Sequence, residues 1–177
     1  TVGVLGRTVH DVSVGATLLD SRLTEGLLSP SLTAARLRFP DTDPTIEAAI
    51  DSALIDAGME VTEVTLTGWE AAHRAALDLL FGEALMVNGD LWRHHQDRLG
   101  DDLVERFTFA QAIGPAELGD ARARREPWRT ELSEVLGTHG LLVLPTMIDY
   151  PARIGQQGVA PNPAASAVNL AGFPAIS

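Results

Sequence analysis

The sequence predicts an α/β fold, and three observations carry that expectation. A helical stretch closed by a glycine runs into a short β-branched segment at residues 44 to 66. The same order returns at residues 115 to 144, where a long helical pattern passes through Gly140 into the apolar run LLVL, stopped by Pro145. Such helix-Gly-strand passages set strands side by side with helices on the sheet faces. The chain is also large enough for one cored domain, with 177 residues of which 45% are apolar, while no run of eighteen apolar residues is present to span a membrane.

The first element is a helix over Thr8 to Arg22. Thr8 is its N-cap and Asp11 its third residue, a Thr-x-x-Asp capping box in which each side chain satisfies the other's free amide. Val9, Val12, Ala16, Leu19 and Leu23 then recur at helical spacing and are expected to form one buried stripe. Arg7 falls just outside this helix, because a cation inside the first turn would oppose the positive end of the helix dipole.

Residues 24 to 43 hold two prolines, a glycine and several turn formers and read as a surface connection, with a short strand at Ala35 to Phe39. Asp43-Pro44 opens a second helix, with Asp43 as N-cap, Pro44 in the first turn, and Ile46, Ala49, Ile50, Ala53, Leu54 and Ala57 as its apolar stripe before Gly58. MEVTEVTL, residues 59 to 66, is strand-like and, with 141 to 144, is expected to lie centrally in the sheet. Further helices are expected at Trp69 to Val87, at Asp101 to Ile113 after a polar turn, and at Pro115 to His139, where Pro127 must kink or split the element. The remainder, from Arg153, is rich in glycine, proline and small residues and reads as an ordered loop.

Charge and composition narrow the function. A formal charge of −11 disfavours non-specific nucleic acid or anionic membrane binding, and the lack of cysteine removes thiolate metal sites and cysteine nucleophiles. His94 and His95, adjacent on the chain, point in different directions and make no metal ligand set with Asp90 and Asp97. His73 and His139 have no partner at an informative spacing. Arg122, Arg124, Arg125 and Arg129 are interleaved with Glu117, Asp120, Glu126 and Glu131 and read as a solvated, salt-bridged helix face. No phosphate-binding glycine motif occurs, so no cofactor or metal is expected.

Three ordered pieces carry a resemblance: R-T-V-x-D at residues 7 to 11, preceded by Gly3; L-L-V-L-P-T at residues 141 to 146; and N-x-x-G-x-P-A-I-S at residues 169 to 177. Together they resemble the amidase signature family. The resemblance implies a central mixed β-sheet flanked by α-helices, a substrate pocket bordered by Pro145, Thr146, Asn169, Gly172 and Pro174, and a structural role near the active site for Arg7, Thr8 and Asp11. It also implies hydrolysis of a small-molecule amide to carboxylate plus amine or ammonia, in a cytoplasmic enzyme without cofactor, metal, nucleic acid or membrane partner, with a homo-oligomer among the allowed assemblies. Val4 after Gly3, Gly140 before the L-L-V-L-P-T strand and the loosely matching Tyr150-Pro151-Ala152 depart from the family pattern.

Family members use a Ser-cisSer-Lys centre, in which a neutral lysine relays a proton through one serine to activate the other. All 13 basic residues here are arginine, whose pKa above about 12 bars it from that role, and no G-G-S-S-G-G-S stretch occurs. The expectation is therefore a single-domain fragment over 1–177, inactive alone, that needs the remainder of the same enzyme, its catalytic N-terminal half and a C-terminal part. Two alternatives stand beside it. One is an amidotransferase A-type subunit or non-catalytic complex component; the other is an N-terminal-nucleophile hydrolase starting at Thr1.

Overall fold

The computed structural model describes residues 4–20, 33–151, 153 and 163–176. The chain divides into two compact units, residues 1–30 and 31–177.

In the first unit, α1 spans Val9–Leu19. Thr8 caps it in extended conformation: its Oγ1 accepts from the Asp11 amide at 3.1 Å, and its own amide donates to Asp11 Oδ2 at 3.0 Å. Val4 packs on Gly15, where a Cβ would come within 2.4 Å of Val4 Cγ1. The expectation of a buried stripe fails, since no α1 residue is buried and Val9 and Leu19 are exposed; Leu23 lies outside the described residues. Cap and spacing specify this helix, whereas burial depends on packing that periodicity does not encode. Replacing Thr8 by Ala should therefore lower helix stability by about 0.5 to 2 kcal/mol, read as faster amide exchange across residues 9 to 12. Unchanged exchange there would show the cap to be idle.

In the second unit, β1 (Thr33–Arg36) lies between β2 (Glu60–Glu63) and β3 (Leu141–Val143), and both pairings are parallel. Thr33 sits opposite Glu60, and Ala34 opposite both Val61 and Leu141. The centre of the described sheet is therefore TAAR, with small Ala34 and Ala35 fully buried. This corrects the expectation for residues 59 to 66 and 141 to 144: among the described strands β2 and β3 are the outer ones, and all four residues of β2 are exposed. β-Branched density marks a strand but not its place in the sheet.

Pro44–Asp56 forms α2, with Asp43 Oδ1 accepting from the Thr45 amide at 2.7 Å. Thr45 is also the main reason the Asp43 carboxyl is held below its usual pKa. Gly58, at φ 67°, turns the chain towards β2, a conformation L side chains rarely adopt. Trp69–His94 forms α3, longer than expected and kinked at Asn88 (φ −104°, ψ 17°), whose Nδ2 donates to the Ala84 carbonyl at 2.8 Å. It continues beyond Val87 because Trp92 is buried edge-on against Phe107 of α4 (Asp101–Ala110), with ring centroids 5.8 Å apart.

The long 115–139 pattern is two helices, α5 (Pro115–Ala123) and α6 (Arg125–His139). Pro127 falls in the first turn of α6, where its missing N–H leaves no hydrogen bond unmade, so the break comes just upstream. The terminal loop is also corrected: Pro163–Ala171 is a helix, α7, while the loop expected over 154–162 lies outside the described residues. Four alanines give this segment high helix propensity, and Gly172 at φ 72° ends it.

The core gathers where α3, α6 and α7 meet one face of the sheet. Trp69 and Trp128 meet edge to face with centroids 5.3 Å apart, surrounded by Leu37, Leu66, Ala72, Leu132, Ala167 and Leu170. Trp128 Nε1 donates to the Ala167 carbonyl at 2.8 Å, tying α6 to α7.

Candidate active-site face

Ligands of open parallel sheets bind beyond the carboxyl ends of the strands. Here β1 runs on into Leu37-Arg38-Phe39 and β3 into Leu144-Pro145-Thr146, held together by the Leu37 amide on the Val143 carbonyl at 3.0 Å. Pro145 is wholly buried, and Thr146 after it is exposed. The following segment is fastened to the start of α2: the Asp43 amide donates to the Ile148 carbonyl at 2.8 Å, and the Thr45 and Tyr150 hydroxyls are 2.8 Å apart.

The second expected group lies at the end of α7. Asn169, Gly172 and Pro174 are exposed, and the Gly172 amide donates to the Val168 carbonyl at 3.2 Å. Packing of α6 against both β3 and α7 brings the two motifs onto a common support. Two arginines of α6 reach this turn. A Cβ on Gly172 would lie 3.1 Å from Arg125 Nη2, and the Arg129 guanidinium stands 5.6 Å from the centroid of the Phe173 ring. In the first unit, Arg7 is exposed outside the helix, and Thr8 and Asp11 are engaged in the cap.

An ion network beside β1 escaped the sequence reading. Arg36 is wholly buried, with Nη2 on Glu47 Oε2, Nε on Asp51 Oδ1 at 3.3 Å and Nη1 on the Leu37 carbonyl at 2.7 Å. Arg38 binds Glu63, Glu47 and Asp51 at 2.7, 2.6 and 2.9 Å. These bonds, Glu63's first, push the Arg38 pKa further up, and Arg38 is the chief cause of the lowered Asp51 pKa. Glu47 and Asp51 are four apart on α2, a spacing that puts both carboxylates on one helix face and was the available signal. An open recess beside the network is lined by Phe39, Pro40, Thr42 and Pro44.

The lowered carboxyl of Asp51 fixes a direction for acid sensitivity. Because its folded pKa lies below the unfolded one, its stabilisation is complete above the ordinary carboxylate range near 4 and is lost as pH falls through the folded value. Asp51→Asn should flatten the fall in urea midpoint between pH 5 and 3. An equally steep fall in the variant would assign the acid limb to other groups.

His73 does have a partner, far away in sequence: its Nδ1 lies 2.5 Å from Ser166 Oγ, linking α3 to α7. The expected salt-bridged helix face is only partly formed. Arg122 pairs with Glu83 of α3 at 3.2 Å, while Glu117 caps the Gly114 amide and Glu131 the Gly68 amide. Among the described residues no three His, Asp or Glu side chains converge to hold a metal ion, and no helix is long and apolar enough to cross a membrane.

No protein-family model matches the chain, and no curated protein matches it in sequence. Solved structures do. A crystal structure of an amidase superposes with a TM-score of 0.76 over 89% of this chain at 22% identity. A bacterial aryl acylamidase of the amidase signature enzymes superposes with a TM-score of 0.59 over 87% of it at 17% identity. The chain has the amidase signature fold. It spans 37% and 38% of the lengths of those two proteins. Within the amidase signature fold, Pro145 follows β3 directly, as the sequence reading placed it, whereas Asn169 lies on α7 and Gly172 at its end, where a loop was expected.

Proposed function

We propose that this chain is part of an amidase that hydrolyses a carboxamide C–N bond, giving a carboxylate and an amine or ammonia. The carrying observation is the superposition on an amidase over 89% of the chain. Support also comes from the position of the two motifs, at the carboxyl end of a parallel strand and at the turn ending α7, both backed by α6. Thr146 and Asn169 border the pocket of a small-molecule amide, and Pro145, Gly172 and Pro174 fix the backbone around it. Arg7, Thr8 and Asp11 support the segment bearing the nucleophile. With no lysine among the 177 residues, the base of a Ser-cisSer-Lys centre comes from sequence outside them, and the chain alone does not turn over.

The test is release of ammonia or amine from a panel of aliphatic and aryl amides by the protein of the complete reading frame. Turnover that falls in Thr146→Ala and Asn169→Ala, with unchanged denaturation midpoints, supports the pocket. No turnover of any amide would remove the proposal.

A further inference from the structure

We infer that the amide substrate carries a carboxylate, held by Arg125 and Arg129 over the Gly172–Phe173 turn. The inference rests on the reading of that turn as part of the substrate pocket.

Arg125 and Arg129 are one helical turn apart on α6, flanking Trp128, whose bond to Ala167 locks that face of α6 onto α7. Both are therefore carried to the end of α7 by a buried anchor, Arg125 on the exposed side of it and Arg129 half-buried. Arg125 lies close enough to the turn that a Cβ on residue 172 would crowd it, and Arg129 is half-buried against Phe173.

Arg129 stands over the Phe173 ring, but neither charge meets an anion among the described residues. Among the described residues neither guanidinium is paired with a carboxylate or bonded to a carbonyl, in a chain with 24 acidic residues. Three acids of these helices are used elsewhere: Glu131 holds the Gly68 amide, Glu117 the Gly114 amide, and Glu83 takes Arg122; Glu126, next to Arg125, forms no ion pair with either arginine. The negative end of the α7 dipole accounts for a cation near its last turn, but that interaction fades within a turn and needs only one. Two forked donors side by side fit a carboxylate, which accepts two parallel N–H bonds from such a group.

The experiment uses the protein of the complete reading frame and two amides of similar size, succinamate with a terminal carboxylate and butyramide with a methyl group. The wild type should prefer succinamate in kcat/KM. Arg125→Ala/Arg129→Ala should lower that preference at least tenfold, mainly through KM, and Arg125→Glu should lower it further. A preference unchanged in the double variant, or a wild type favouring butyramide, would overturn the inference.

Calorimetric titration with succinate, and with neutral succinamide as control, needs no turnover. Succinate binding that disappears in the double variant supports the carboxylate site even where no amide of the panel is hydrolysed, a result that would sink the amidase proposal instead. Hydrolysis of butyramide without succinate binding would leave the amidase and remove the carboxylate.

Discussion

Glu47→Ala is expected to destabilise the fold by about 3 to 5 kcal/mol, the usual cost of stripping one partner from a buried ion pair. Arg36 is wholly enclosed and would keep only Asp51, at 3.3 Å, as a carboxylate partner. Arg38 would keep Glu63 and Asp51, so the loss concentrates on the buried guanidinium. A second variant separates burial of charge from loss of packing. Replacing both residues, Arg36→Leu/Glu47→Leu, removes the charges together and should recover more than half of the single-variant loss, because a buried pair exchanged for apolar side chains is often close to neutral. Urea denaturation of the three proteins gives the numbers. A double variant as unstable as Glu47→Ala would mean that Arg36 is held for its packing rather than by its partners.

Trp128→Ala should cost a similar amount, about 3 to 5 kcal/mol, because it empties the junction of α3, α6 and α7. Trp128 is 3% exposed, stacks edge-on with Trp69 and makes the hydrogen bond that reaches the Ala167 carbonyl. Trp128→Phe keeps most of the ring but leaves that carbonyl without its indole donor, and should lose about 1 to 3 kcal/mol. Both substitutions should raise amide exchange in residues 164 to 171 more than in α2, which lies outside this cluster. Uniform loss of protection in both helices would indicate global unfolding without a special tie to α7. The same anchor carries Arg125 and Arg129, the two arginines of the carboxylate proposal, to the Gly172 turn.

The sequence by itself determined what is settled within a few residues. Thr8 with Asp11, and Asp43 with Pro44, are caps whose partners lie two or three positions away, and both form as read. Pro127 announced a break that its own ring chemistry enforces, and Gly58 and Gly140 mark helix ends that need positive φ. Tertiary structure alone decided the rest. Nothing in TAAR distinguishes it as the central strand; it is central because Ala34 and Ala35 are small enough to be covered on both sides. Arg36 reads as a surface residue until α2 supplies Glu47 and Asp51, since burying a charge is tolerable only beside its counter-charges. The pairing of His73 with Ser166, across 93 positions, and the placing of Arg125 and Arg129 against α7 have the same origin. Periodicity specifies which face of a helix is apolar, but which distant segment meets that face is fixed only when the whole chain competes for the same core.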